Sequence, residues 1–213
     1  MALIAEGVEV ERGGRLTLVA PDFRVEAGEA ALVSGPNGAG KSTLLRALAG
    51  LIAPSRGRIT LEGTTDIPSQ AAYAGHLDAV KPVLTVRANL AAWTEIYQTD
   101  GDIDAALSRL SLTHIADAPA AYCSAGQKRR LALARLLVTG RRLWLLDEPT
   151  VSLDAAAVTE FSGVVAAHCA AGGLVVAATH QAFDLPAGPR LALAPPDERA
   201  AAAGDPFLTG AWA

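Results

Sequence analysis

The stretch GPNGAGKS, Gly35 to Ser42, fits the spacing G-x-x-x-x-G-K-[ST] and runs on into Thr43. Those residue types in that order suit one task, the holding of phosphate. Gly35, Pro36, Asn37, Gly38, Ala39 and Gly40 make a loop whose backbone N–H groups can converge on phosphate oxygens. Lys41 then reaches the β and γ groups, and the Ser42 hydroxyl ligates Mg²⁺ at the positive end of a helix. A chance glycine turn holding Lys-Ser is the competing reading, and a strand before the loop with a helix after it argues against that.

A second stretch, RLWLLDEP, delivers two adjacent acids, Asp147 and Glu148, to the carboxyl end of an apolar strand, where ligands of open α/β sheets bind. Asp147 suits the Mg²⁺ shell, and Glu148 suits orienting or deprotonating an attacking water. Two solvated acids ending a strand are the alternative, weakened by the phosphate loop in the same chain. The doublet favours hydrolysis by water over transfer to an acceptor. A third stretch, YCSAGQKRRLALARLL, sets small polar residues directly before a basic helix. Ser124, the Ala125 and Gly126 N–H groups and the helix dipole form an anion site that needs no cation.

The elements that must position these residues follow from periodicity. Alternation in Leu3–Val10 and Leu16–Val25 about ERGGR predicts an antiparallel hairpin with a Gly-Gly turn. Ala30–Ser34 is a short strand before the phosphate loop, and LLRALAG is a helix ended by Gly50. Further strands are expected at Arg58–Leu61 and Ala71–Ala74. From Thr85, read as the N-cap, Val86, Leu90, Trp93 and Tyr97 recur at helical spacing and read as core. DIDAALSRLSL gives a second helix, and about Ala125 to Thr139 a third. Leu143–Leu146 reads as a buried strand, Ala155–Ala171 as a helix capped by Asp154, and Leu174–Thr179 and Leu191–Leu193 as late strands. The sum is an α/β fold with a β-rich, antiparallel N-terminal part and an all-helical insertion over roughly residues 80–135. One domain is expected over residues 1–195, followed by a C-terminal tail, 196–213, whose role is not readable.

Bulk properties agree with one globular unit: 213 residues, 51% hydrophobic and 19% charged. A net charge of −4 and a pI near 5.5 do not suggest a polyanion-binding protein. Six basic residues crowd between Lys128 and Arg142 and read as a solvated helix face. Only two cysteines occur, Cys123 and Cys169, in no metal or haem-attachment spacing, which fits a reducing compartment. The acidic N-terminus lacks an export signal, so the mature chain is expected to start near Met1. Phe161–Thr179 carries no Asp, Glu, Lys or Arg, but the Gly172-Gly173 pair breaks it into a helix end, a turn and a buried strand rather than a membrane span.

Taken together, these motifs resemble those of ABC ATPases, a P-loop NTPase family, over about residues 2–195. CSAGQ is similar to that family's LSGGQ signature, with Cys123 in place of Leu and Ala125 in place of the first Gly. The resemblance implies that Cys123, Ser124, Ala125, Gly126 and Gln127 contact the γ-phosphate of ATP held by the opposite subunit of a head-to-tail homodimer. It further implies that Val151–Asp154, VSLD, is the D-loop crossing that interface, with Asp154 near the other subunit's site. His180, in ATH, matches the switch histidine that touches the γ-phosphate. Arg12 falls where the family usually stacks an aromatic ring on adenine, and a guanidinium can stack too. His76 falls where the family has a glutamine coupling Mg²⁺ to the transport subunit.

The pattern GH-x-x-x-x-K-x-x-LT-x-x-x-NL in YAGHLDAVKPVLTVRANL narrows the resemblance to the CcmA family, the ATPase subunits of bacterial cytochrome c maturation, a haem-export system. It implies a CcmB-like integral-membrane permease and haem-handling proteins that load a periplasmic haem chaperone, from which ATP hydrolysis releases haem. It also implies a peripheral location on the cytoplasmic side of the inner membrane and no nucleic acid. The four histidines, His76, His114, His168 and His180, are scattered, and none is expected to bind haem. An ABC transporter for another cargo uses the same engine, because the permease chooses the cargo. A soluble ABC protein of translation or DNA repair usually carries two cassettes or long coiled coils, and neither is present here.

Overall fold

Residues 1–181 and 183–196 are described in a computed structural model of the chain; past residue 196, the expected tail lies outside the described residues. Alternation builds the first layer. In β1 (Ala2–Arg12) the side chains of Leu3, Ala5, Val8 and Val10 are buried. The chain returns as β2 (Arg15–Val19) through Gly13 and Gly14, whose φ of 56° and 74° supply the left-handed turn that a tight hairpin needs. The expected strand Leu16–Val25 is in fact two strands in one register. Val19 faces Glu9 in β2, and Phe23 faces Ala5 in β3 (Phe23–Glu26). The ladder breaks at Pro21, which has no N–H to give, and Asp22 Oδ1 accepts from the Gly7 N–H at 2.6 Å instead. On the other edge of β1 lies β5 (Arg56–Leu61), completing a four-stranded antiparallel sheet.

The second layer is a five-stranded parallel sheet. Its order is β6 (Ala71–Ala74), β7 (Leu143–Asp147), β8 (Leu174–Ala178), β4 (Ala30–Ser34) and β9 (Arg190–Ala192). Every residue of β7 and β8 is buried, as covering both faces of a parallel sheet requires. The faces separate with period two. Leu143, Leu145, Leu174 and Val176 join the antiparallel sheet and α1 (Lys41–Leu48) in one core, while Trp144, Leu146, Val175 and Ala177 face the remaining helices in another.

Those helices are α2 (Val86–Tyr97), α3 (Ile103–Arg109), α4 (Ala125–Val138) and α5 (Ala155–Ala170). Each start is capped by an oxygen accepting a first-turn N–H: Thr85, Asp102, Ser124 and Asp154. Val86 and Leu90 are buried as expected, but Trp93 and Tyr97 are only half-buried. Arg135 lies 5.1 Å from the Trp93 ring centroid and Arg141 4.9 Å from that of Tyr97, so these rings close a core edge with cations. The basic crowd is likewise not a solvated face. Arg129 and Arg135 are 4% and 8% exposed, because α4 is wedged between the parallel sheet and α2 and α3. The uncharged run resolves into α5, a turn at Gly172 and β8, and no described helix is long and apolar enough to cross a membrane.

Candidate active site

The site forms where β4 and β7 end. Leaving β4, the chain turns at Gly35, where an added Cβ would lie 2.3 Å from the Leu193 carbonyl oxygen. It enters α1 at Gly40, where a Cβ would lie 2.9 Å from the Thr17 carbonyl oxygen and φ is 94°. Gly40 has no side chain with which to cap α1, so the first N–H groups of the helix point out uncapped, with the positive end of the helix dipole behind them. Lys41 is 9% exposed, and its Nζ donates to the Gly35 and Pro36 carbonyls at 2.8 and 3.0 Å. The lysine is thus laid across the loop by the loop's own oxygens.

Asp147 ends β7 with its side chain buried, and both carboxylate oxygens are occupied. Oδ1 accepts from the Ser42 hydroxyl at 3.0 Å and Oδ2 from the Tyr73 hydroxyl at 3.0 Å. Burial, and then the negative charge of Asp147, hold the Tyr73 pKa above its ordinary value, with Arg46 pulling the other way. Glu148 follows with φ of 48°, a left-handed backbone that puts its side chain on a different course from the strand. Its N–H donates to the Ala178 carbonyl at 2.8 Å, tying it to the end of β8. Two residues past β8, the His180 N–H donates to Glu148 Oε2 at 3.3 Å, and the imidazole Nε2 lies 3.7 Å from Oε1.

A cavity of about 340 Å³ joins these groups: Thr17, Asn37, Gly38, Gly40, Lys41, Ser42, Thr43, Asp147, Glu148 and His180 line it. Two larger clefts, of about 450 and 1100 Å³, hold neither the loop nor the acids. Gly35 and Pro36 stand behind the cavity as carbonyl partners of Lys41, and Ala39 is buried in the core. The hydroxyl of Ser42 and the carboxylate of Asp147 are two hard oxygen donors beside an anion cradle. That set fits Mg²⁺, which keeps few protein ligands and completes its shell with phosphate and water.

Several expected residues stand apart from this cavity. Arg12 is exposed at the β1–β2 turn, and Thr17 of β2 lines the cavity. His76 is exposed just past β6 and joins no group of three or more potential metal ligands among the described residues. The side chain that β6 does bring to Asp147 is Tyr73. Sequence spacing missed it because β6 and β7 become neighbours only in the folded sheet, with Tyr73 facing Leu145 across the ladder.

Ser124, Ala125, Gly126 and Gln127 also lie off the cavity, at the start of α4. Ser124 and Gln127 form a reciprocal capping box, Gln127 N–H to Ser124 Oγ at 3.2 Å and Ser124 N–H to Gln127 Oε1 at 2.8 Å. The Ser124 N–H is thus spent on the capping box, while among the described residues the N–H groups of Ala125 and Gly126 have no acceptor. Cys123 is 7% exposed and packs among the helices, so its thiol does not face this surface. A Cβ on Gly126 would come 3.1 Å from the Ser152 carbonyl oxygen, which sets the VSLD turn against the start of α4. Asp154 spends Oδ1 on the Ala157 N–H at 2.8 Å.

Comparison with known proteins matches the ABC transporter family over residues 18–151. A cytochrome c biogenesis ATP-binding export protein CcmA of Rhodobacter capsulatus is 50% identical over 196 residues, covering 92% of this chain and 89% of the relative. That of Nitrobacter winogradskyi is 48% identical over 185 residues, covering 84% and 92%. Among solved structures, a putative ABC transporter ATP-binding protein from Pyrococcus furiosus superposes with a TM-score of 0.80 at 20% identity, covering 91% of this chain and 98% of that one.

Proposed function

The chain belongs to the ABC transporter family, and from that premise we propose that it is the ATP-hydrolysing subunit of a cytochrome c maturation complex that exports or releases haem. The observation that carries the catalytic part is the convergence of Lys41, Ser42, Asp147, Glu148 and His180 on one cavity from three separate strand ends. The half-identical relatives named for cytochrome c biogenesis support the physiological part.

In this reading the loop N–H groups and Lys41 bind the triphosphate, with the dipole of α1 behind them. Ser42 and Asp147 would hold Mg²⁺, which would neutralise part of the phosphate charge. Glu148 takes the proton of an attacking water or orients it, and His180, beside the Glu148 carboxylate, meets the γ-phosphate from the β8 side. The N–H groups at the start of α4 take no part in the chain's own cavity. They serve a second copy, which is why a head-to-tail homodimer completes the site. Closure of two copies on two ATP, followed by reopening after hydrolysis, drives the membrane partner.

That partner is a CcmB-like integral-membrane permease, and it holds this subunit at the cytoplasmic side of the inner membrane, with haem-handling proteins beyond it. Leu77 and Val83 of the loop after β6, with Tyr122 of the segment hydrogen-bonded to that loop, offer it exposed apolar side chains. Leu77, Val83 and Tyr122 are 82%, 89% and 85% exposed. Beneath them buried Asn89 accepts from the Lys81 N–H at 2.8 Å and donates to the Lys81 and Thr85 carbonyls.

The test is haem staining of c-type cytochromes in a source strain whose only copy of the gene carries Glu148→Gln, with b-type haem spectra as control. Loss of c-type bands alone, with the haem chaperone still loaded, is the expected result. Normal c-type bands refute the haem role.

A further inference from the structure

Arg129 is the most completely engaged side chain among the described residues. A guanidinium has five N–H donors, and here each finds its own acceptor. Nε donates to the Pro149 carbonyl at 3.2 Å. Nη1 donates to the Gly75 carbonyl and to Asp78 Oδ1, both at 3.0 Å. Nη2 donates to the Asp147 carbonyl at 3.2 Å and the Glu148 carbonyl at 2.6 Å. Three consecutive carbonyls, 147 to 149, are thus gathered by one side chain, and the residue at their centre has the left-handed φ of 48°. A non-glycine residue keeps that conformation only where its surroundings over-determine it.

The cation is 4% exposed, and among the described residues its one ion-pair partner is Asp78, 30% exposed on the loop after β6. Asp78 supplies the opposite charge that makes the clamp tolerable to bury. Lysine is no substitute, since its three donors on a flexible stem cannot serve five fixed acceptors.

We propose that Arg129, charge-paired with Asp78, is the positioning residue that holds the Glu148 backbone in its left-handed turn and so aims the Glu148 carboxylate into the cavity. The clamp also makes the geometry of the loop at Gly75–Asp78 a determinant of turnover. This inference rests on the reading of Glu148 as the water-orienting or proton-accepting group. It assigns Arg129 no contact with nucleotide, so binding and chemistry must separate when the clamp is weakened. A displacement of about 1 Å of a catalytic group costs on the order of 10²-fold in rate.

The experiment compares the full chain with Arg129→Lys, Asp78→Asn, Glu148→Gln and the two doubles that combine each clamp variant with Glu148→Gln. The measurements are single-turnover and steady-state hydrolysis of radiolabelled ATP, affinity for a fluorescent ATP analogue, and melting temperature. Arg129→Lys is expected to lower kcat by about 10–100-fold and Asp78→Asn by about 3–10-fold, with KM and analogue affinity within about twofold. In the Glu148→Gln background neither substitution should add more than about twofold, because its target is already gone.

Undiminished kcat in both clamp variants, a rise in KM with kcat intact, or full additivity on Glu148→Gln overturns the inference. If Glu148→Gln itself hydrolyses ATP at the parental rate, the reading beneath it fails instead, which is a different and separable result. Should Arg129→Lys not fold, Asp78→Asn with hydrogen exchange decides the matter. Faster exchange in the peptide spanning 147–153 is expected, and unchanged exchange overturns the clamp.

Discussion

Replacing Tyr73 by phenylalanine removes one hydroxyl and keeps the ring. That hydroxyl is one of two donors to a carboxylate that is 3% exposed, the other being Ser42. With Oδ2 left unpaired, the cost is that of a hydrogen bond to a charged group, about 1.5–3 kcal/mol. At about 2–4 °C per kcal/mol for a chain of this size, Tm falls by about 3–12 °C. The assay is thermal unfolding of nucleotide-free protein in EDTA, so that no cation restores the missing partner. A pH series sharpens it. The folded-state pKa of Tyr73 is raised by burial and by Asp147, so above the ordinary tyrosine value of about 10 the unfolded chain loses a proton that the folded chain keeps. This contribution to stability is whole below about pH 10 and is lost as pH rises further, and Tyr73→Phe should remove that part of the alkaline decline. A Tm within about 1 °C of the parent, or an unchanged alkaline slope, refutes the dependence of Asp147 on Tyr73.

Three further outcomes are expected. Ser124→Arg should leave nucleotide affinity of the monomer within about twofold while abolishing ATP-dependent dimers in size-exclusion chromatography, because the α4 start lies off the chain's own cavity; equal loss of monomer binding sinks its assignment. Phe161→Ala, at a fully buried ring stacked 5.7 Å from Phe183, should cost about 3–5 kcal/mol in urea unfolding. Cys169, buried and with its pKa pushed up to about 11 by desolvation, should react with a thiol reagent at pH 8 only after unfolding; prompt native labelling contradicts its burial.

Glu148→Gln, the substitution used to test the haem role, carries its own biochemical expectation. Turnover should drop about 10²–10⁴-fold with ATP still bound, as for loss of a positioned base.

The phosphate loop was legible in the sequence because everything that defines it is local. Its glycines, Lys41 and Ser42 lie within one turn between a strand and a helix, and the clashes at Gly35 and Gly40 show what the spacing protects. The caps Thr85 and Asp154 were legible for the same reason, since a side-chain oxygen need only reach an N–H three residues on. The acid doublet could be read as a pair, but its partners could not.

What only the tertiary structure decided is who meets whom across the parallel sheet. The order β6-β7-β8-β4-β9 places Tyr73 beside Asp147 and brings Glu148 to His180, although no short-range pattern links those positions. Parallel neighbours are joined by long crossovers, so local spacing carries no record of their register. The same gap explains the basic crowd. From the sequence, Arg129 is one more charge in KRR, and nothing local distinguishes a solvated guanidinium from one whose five donors close on residues 75, 78, 147, 148 and 149. Arg12 at the β1–β2 turn and His76 after β6 are both exposed, while Thr17 lines the cavity and Tyr73 reaches Asp147 across the sheet. Local chemistry is written in residue types at fixed spacing, whereas contacts between distant segments arise only when apolar burial on both faces of the sheet selects one packing.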